Sequence, residues 1–129
     1  MSFIENCRTL IGFVSSPGQS NLTMLKWIEQ LAGSVGLSVE IQSSVFEQVE
    51  QGNIIIRPQA KRAEADFLLQ THLDTVNPGP FQAWKKTAFN PYDATIVDGV
   101  MYGLGTADAK LDFLCKLSAL IEFSQKSNF

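Results

Sequence analysis

The strongest constraint on the fold is a short apolar segment that leads directly into polar residues. Phe67-Leu68-Leu69 has no polar residue at alternate positions, a pattern typical of a strand that is covered on both faces. The chain then continues as Gln70-Thr71-His72-Leu73-Asp74. We therefore expect residues 67–69 to form the most buried strand of the chain, with polar side chains at its carboxyl end.

Hydrophobic spacing predicts three helices. The first carries apolar residues at helical spacing from Ile4 to Val14 and ends at Ser15-Ser16-Pro17-Gly18. The second begins near Ser20, a residue suited to an N-cap, and ends at Gly36. The third spans residues 109–126, and its apolar residues surround most of the helix axis, so we expect it to be largely buried.

Other segments have strand and loop patterns. Residues 37–42 alternate between apolar and polar, and Gly52-Asn53 predicts a turn into a strand that Pro58 ends. Residues 77–93 read as a long ordered loop, and Asp98-Gly99 predicts the turn of a hairpin over residues 95–102. Helices and strands alternate, which indicates an α/β or α+β class with a mixed sheet flanked by helices.

Charge and cysteine content exclude several classes of protein. Lys and Arg number 10 against 13 Asp and Glu, a net charge of -3 that does not suit nucleic acid. The basic pairs Lys61–Arg62 and Lys85–Lys86 are expected to be solvated loop charges. Cys7 and Cys115 lie on apolar helix faces and are expected to be buried, reduced thiols. The sequence has no secretory signal and no apolar stretch near the ~20 residues that span a bilayer, so we expect a cytoplasmic protein without a membrane partner.

His72 and Asp74 are the first candidate site residues. Ligands of open α/β sheets bind at the carboxyl ends of strands, and His72 is the single histidine of the chain. With strand geometry the two side chains point the same way, so Asp74 can hold one imidazole nitrogen while the other binds a metal. The alternative is a histidine that is only hydrogen-bonded at the end of a strand.

Asp108 is the second candidate, at the start of the last helix. It has two interpretations from its position alone: a metal ligand, or an N-cap favoured by the helix dipole. The preceding Gly103-x-Gly105 invites a nucleotide-binding interpretation. We reject that interpretation because Asp108 stands where a phosphate loop has its third glycine, and a carboxylate there would repel a pyrophosphate. A redox module is also disfavoured, because no reactive thiol motif is present.

The motifs together resemble one enzyme family. Thr71-His72-Leu73-Asp74-Thr75-Val76, then Asn90-Pro91-Tyr92, Asp98-Gly99 and the segment from Met101 to Lys110 follow its order and spacing, as do the residues from about Ile4 to Phe123 more broadly. This is the family of dinuclear zinc amidohydrolases and peptidases that includes acetylornithine deacetylase, succinyl-diaminopimelate desuccinylase, aminoacylase and glutamate carboxypeptidase. The resemblance implies that residues 1–129 are the N-terminal part of a catalytic domain.

The resemblance also implies roles and partners. His72 would ligate one zinc ion, Asp108 would bridge two, and Asp74 would serve catalysis by orienting His72. Zinc is the expected metal, with cobalt or manganese as alternatives. The expected substrate is a small N-acyl amino acid or peptide, with acetylornithine as the leading choice, and the full-length form is expected to be a homodimer. Lys110 has no implied catalytic role and is expected to pair with a carboxylate.

Two hypotheses about activity stay open. In the family, a Glu-Glu pair that supplies the general base, a further carboxylate and a late histidine follow the helix at residues 109–126, and a lid or dimerisation domain comes later. None of these is found in the 129 residues, and Leu104, Ala109 and Leu111 replace common family residues without touching a ligand. The full-length form is therefore expected to hydrolyse amides. The chain alone is expected to be a non-catalytic fragment that binds metal weakly or needs a complementary chain.

Overall fold

The computed structural model describes residues 2–58 and 68–126. Its regular elements are, in chain order, α1 (Phe3–Gly12), α2 (Leu22–Gly33), β1 (Ser38–Phe46), β2 (Val49–Arg57), two 3₁₀ turns (Phe81–Ala83 and Lys85–Thr87), β3 (Thr95–Val97), β4 (Val100–Tyr102) and α3 (Lys110–Lys126). The predicted α/β class is confirmed, and the three predicted helices lie within three residues of their expected bounds.

The start of α1 and the end of α2 have recognisable caps. The hydroxyl of Ser2 accepts the amide of Glu5, and the Glu5 side chain in turn accepts the amide of Ser2, so α1 begins with a capping box. At the end of α2, Gly36 has φ +83° and the amide of Leu37 donates to the carbonyl of Ala32 at 3.1 Å. This is the glycine-terminated helix end that the sequence predicted at Gly36.

The hairpin β1–β2 corrects the turn predicted at Gly52-Asn53. The two strands are antiparallel, with Gly52 opposite Ser43, and the turn lies at Glu47 and Gln48, which have φ +47° and +67°. Gly52 instead lies inside β2 beneath α2, where an added Cβ would be 2.9 Å from Cδ1 of Leu25. Close approach of a helix to the strand, not chain reversal, requires glycine at this position.

Asn21 joins the start of α2 to the same glycine. Its side-chain amide donates to the carbonyl of Gly52 at 2.9 Å, and its oxygen accepts the amide of Gly52 at 2.9 Å. Asn21 occupies the N-cap position but makes no capping hydrogen bond. Ser20, the predicted cap, has its hydroxyl 3.4 Å from the amide of Leu22. The Asn21 side chain therefore attaches the β1–β2 hairpin to the start of α2.

We predict that Asn21→Ala destabilises the chain by about 1–3 kcal/mol, because it leaves both polar groups of the Gly52 backbone without this partner. The measurement is the free energy of unfolding in urea. Asn53→Ala, on the exposed neighbour of Gly52 in the same strand, is the matched control. Equal losses for the two variants would contradict the role assigned to Asn21.

The hydrophobic core lies between the three helices and one face of β1–β2. Its buried members include residues of α1, α2 and α3: Cys7, Leu10, Met24, Leu25, Ile28, Ala32, Phe113, Leu114 and Leu117. Cys7 is buried as predicted, whereas Cys115 is exposed. The prediction that α3 is largely buried is therefore wrong for the face that carries Cys115. None of the described helices is both long and apolar enough to cross a membrane.

The segment before His72 differs most from expectation. Phe67 lies outside the described residues, as does the basic pair Lys61–Arg62. Leu68 and Leu69 belong to no strand, and the Leu68 side chain is 80% exposed, so the predicted buried strand is wrong for these two residues. No described strand lies alongside them to complete a hydrogen-bonded ladder. For the same reason the described residues form two separate antiparallel pairs, β1–β2 and β3–β4, where a mixed sheet was predicted.

The hairpin β3–β4 and the loop before it confirm local predictions. Asp98 and Gly99 have φ +51° and +78°, the left-handed values of a two-residue hairpin turn. In the loop, the indole nitrogen of Trp84 donates to the carbonyl of Pro78 at 2.8 Å. The amide of Leu104 donates to the carbonyl of Pro91 at 2.7 Å, which attaches the loop to the chain just after β4. Residues 77–93 are thus ordered without a long helix or strand.

Candidate metal site

The backbone around Asp74 is held by the loop that follows α1. The amide of Thr75 donates to the carbonyl of Ser15 at 3.0 Å, and the Ser15 hydroxyl donates to the carbonyl of Leu73 at 2.8 Å. Ser15 is buried, so these bonds are shielded from water. The sequence identified Ser15 only as part of a helix stop, yet it fixes the segment that carries His72 and Asp74.

A tight turn of small residues between β4 and α3 places Asp108. Gly103 and Gly105 have φ +154° and +95°, and a Cβ at either position would lie 2.9 Å from a neighbour, Cγ2 of Ile11 or Cδ of Lys110. The Asp108–Ala109 peptide bond is cis. Close packing against α1 and Lys110 therefore explains both glycines, and no phosphate loop is needed. Helix α3 begins two residues after Asp108.

The structure brings the three predicted site residues together. Nε2 of His72 lies 2.8 Å from Oδ1 of Asp108, across 36 residues of sequence. On the other side of the ring, Nδ1 lies 3.1 Å from the Asp74 carbonyl oxygen and 3.3 Å from its carboxylate Oδ1. The imidazole is thus placed between two carboxylates. Its side chain is 54% exposed, and those of Asp74 and Asp108 are 79% and 82% exposed, so the site is open to solvent.

The surroundings of His72 favour its charged form. The hydrogen bond to the Asp74 backbone raises the pKa of His72, the hydrogen bond to Asp108 and the charges of both carboxylates raise it further, and partial burial opposes them. A histidine that binds a metal must be neutral, so a metal at Nε2 would compete with this proton. When the ring is protonated, Nδ1–H donates to Asp74 and Nε2–H donates to Asp108.

These side chains fit part of a metal site. Zinc accepts imidazole nitrogen and carboxylate oxygen, and Nε2 and Oδ1 converge on one point from different segments. The hydrogen bond at Nδ1 is the outer partner that a metal-binding histidine ordinarily has. Within residues 2–58 and 68–126, however, no group of three or more His, Cys, Asp or Glu is arranged to hold a metal. Two ligands supply half of a tetrahedral zinc site.

Lys110 has a structural role that the sequence did not indicate. Its side chain is 0% exposed, its Nζ donates to the carbonyl of Phe13 at 2.6 Å, and burial lowers its pKa to about 8. The prediction that Lys110 pairs with a carboxylate is therefore wrong: its partner is a backbone carbonyl 97 residues away. The pair Lys85–Lys86 is exposed as predicted, with Lys86 Nζ 5.7 Å from the ring centre of Tyr102.

Comparisons with known proteins find matches that include the residues of this site. The sequence model of peptidase family M20/M25/M40 matches residues 68–128, which include His72, Asp74 and Asp108. Acetylornithine deacetylase of Pectobacterium atrosepticum is 35% identical over 124 residues, covering 92% of this chain and 30% of the relative. Succinyl-diaminopimelate desuccinylase of Rickettsia bellii strain OSU 85-389 is 29% identical over 116 residues, covering 90% of this chain and 28% of the relative.

A shorter match has higher identity. The succinyl-diaminopimelate desuccinylase of Xanthomonas oryzae strain PXO99A is 49% identical over 44 residues, which cover 34% of this chain and 11% of the relative. The named relatives are a deacetylase and two desuccinylases. Residues 68–128 carry the sequence pattern of peptidase family M20/M25/M40, and the two longer matches extend the similarity over about nine tenths of the chain. It spans about three tenths of the length of the two longer curated matches.

Proposed function

We propose that this chain provides part of the metal-binding site of an amidohydrolase that removes an acyl group from an N-acyl amino acid. The observation that carries the proposal is the 2.8 Å contact between Nε2 of His72 and Oδ1 of Asp108. The names of the relatives support a small acylated amino acid as substrate, with an acetyl or succinyl group. We propose zinc as the metal, with cobalt or manganese as alternatives, and the cytoplasm as the location.

In this proposal each of the three residues has a separate task. His72 presents Nε2 as a ligand, and the Asp108 carboxylate presents oxygens that can be shared between two ions. Asp74 accepts Nδ1–H through its backbone carbonyl and its carboxylate, which fixes the ring orientation and leaves Nε2 free of its proton. When bound, the metal supplies Lewis acidity for the scissile carbonyl and for a water molecule.

The proton-accepting step requires a group outside this set. His72 contacts both Asp74 and Asp108, and in this proposal all three residues serve to hold the metal, so another group must take the proton from water. We therefore propose that the 129-residue chain binds metal without hydrolysing amides by itself, and that further residues or a complementary chain supply the base. The exposed apolar side chains of Leu68 and Leu69 favour this second candidate, because such surface favours a covering partner.

Hydrolysis is tested with a family-length protein that contains this chain. The zinc-loaded protein is assayed against N-acetyl- and N-succinyl-amino acids, and the 129-residue chain is assayed in parallel. We expect turnover of at least one substrate by the longer protein and none by the chain alone. No turnover of either class by the longer protein, despite bound zinc, would exclude the proposed reaction.

Asp74→Asn is predicted to weaken zinc binding by about 10–100-fold, the usual effect of removing the outer partner of a metal-binding histidine. The amide has no charge to stabilise the ring, and its NH₂ group does not accept Nδ1–H. The measurement is a calorimetric titration of the chain with Zn²⁺. Asp93→Asn, at an exposed aspartate at the end of the loop formed by residues 77–93, is the matched control. Unchanged affinity in Asp74→Asn would remove Asp74 from the site.

A further inference from the structure

Two charged residues of α3 contact the segment that precedes His72. Lys116 Nζ donates to the carboxylate of Asp112 at 2.6 Å and to the backbone carbonyl of Gln70 at 2.8 Å. Lys116 lowers the pKa of the Asp112 carboxyl, and Thr71 is close enough to lower it further. One helical turn of α3 therefore faces both residues immediately before the histidine and is bonded to Gln70.

These contacts matter because residues 68–71 have no strand partner among the described residues. On the far side of His72, the loop after α1 holds the chain through the two bonds of Ser15 to Leu73 and Thr75. On the near side, the attachment is made by Asp112 and Lys116. The histidine backbone is thus fixed from both directions, and each fixing element is distant in sequence.

The helix that makes the near-side attachment also follows Asp108 directly. Asp108 is separated from the start of α3 by one residue, and Asp112 and Lys116 lie in its first two turns. Helix α3 therefore helps to determine the position of Asp108 and the position of the Gln70–Thr71 backbone. Neither Asp112 nor Lys116 hydrogen-bonds to the imidazole, and, after Lys116 and Thr71, the charge of His72 contributes to lowering the pKa of Asp112.

We propose that Asp112 and Lys116 are positioning residues that hold His72 at metal-binding distance from Asp108. The inference rests on the proposed function, because it assigns these two residues a role in the same metal site. The side chains of Lys116 and Asp112 are 32% and 47% exposed, so their ion pair by itself contributes little to global stability. Their loss should disturb the histidine more than the fold.

The test uses the fact that His72 is the single histidine, so its ring signals are unambiguous in a ¹H–¹⁵N spectrum. The 129-residue chain is compared with Lys116→Met and Asp112→Asn, and Lys26→Met on the exposed face of α2 is the matched control. At a fixed pH below the pKa of His72, both ring N–H groups donate, to Asp74 and to Asp108. Zinc affinity and the urea midpoint are measured on the same samples.

We expect the wild-type chain and Lys26→Met to show both hydrogen-bonded ring N–H signals, and the two α3 variants to lose them through faster exchange with water. Zinc affinity should fall by about tenfold in the α3 variants, the low end of the loss seen when a residue that orients a metal ligand is removed. Their urea midpoints should stay close to that of Lys26→Met. Wild-type ring signals in both α3 variants would overturn the inference. Because the ring signals require no metal, that result is distinct from a wild-type chain that fails to bind zinc, which would contradict the proposed function instead.

Discussion

Asp108→Asn is expected to weaken zinc binding by the chain by more than about 100-fold, a larger loss than the 10–100-fold typical of outer partners. The substitution keeps the shape of the side chain but replaces a charged carboxylate with a neutral amide. Of the two terminal atoms of the amide, only the oxygen can donate electrons to a metal. The asparagine side chain therefore cannot be shared between two ions. In a zinc-loaded, family-length protein, the same variant is expected to lose amide hydrolysis to at least the same extent.

The matched control for this prediction is Asp98→Asn in the β3–β4 turn. It makes the same chemical change at an exposed carboxylate, and asparagine accepts the left-handed φ of +51° found there. A calorimetric zinc titration of the two variants, beside far-ultraviolet circular dichroism to verify folding, provides the comparison. Zinc affinity in Asp108→Asn equal to that in Asp98→Asn would show that Asp108 is not a ligand.

Lys110→Ala is expected to destabilise the chain by about 3–5 kcal/mol, a large share of the stability of an ordinary domain. The variant removes a completely buried stem that packs beside Gly105, and it leaves the carbonyl of Phe13 without its donor. Truncation of a buried side chain of this length and loss of a buried hydrogen-bond partner each contribute. The measurement is urea unfolding followed by tryptophan fluorescence.

Two further variants separate these contributions. Lys110→Met keeps most of the stem and loses the hydrogen bond, so we expect a smaller loss of about 1–3 kcal/mol. It also removes an ammonium group whose burial lowers its pKa to about 8, which partly offsets the loss. Lys85→Ala, at an exposed loop lysine, is the matched control and should change little. A Lys110→Ala variant as stable as Lys85→Ala would exclude a structural role for Lys110.

The predictions that succeeded depend on residues close together in sequence. The Asp98-Gly99 turn and the Gly36 helix end are each determined by backbone conformations that only a few residue types accept. The metal-binding roles of His72 and Asp108 came from the family resemblance, because the residues alone left both as ambiguous candidates, and these roles stay predictions. The sequence could place each at the end of an element, but not at 2.8 Å from the other.

The predictions that failed depend on distant contacts. Gly52 was interpreted as a turn because the reason for it, the approach of Leu25, comes from a helix earlier in the chain. The partner of Lys110 is the backbone carbonyl of Phe13, and a carbonyl has no signature in a sequence. Leu68 and Leu69 have a buried pattern but no described neighbours to bury them, so pattern and observed exposure differ.

The attachment of Gln70 to Lys116 has a mechanical consequence. Asp108 leads into α3, and the segment before His72 is attached to the same helix, so a small rigid shift that α3 makes together with the loop at Ser15 moves Nε2 of His72 and Oδ1 of Asp108 in the same direction. The distance between Nε2 of His72 and Oδ1 of Asp108 is therefore insensitive to such shifts. Strain that reaches α3 from its exposed face would displace the pair as a unit rather than pull it apart.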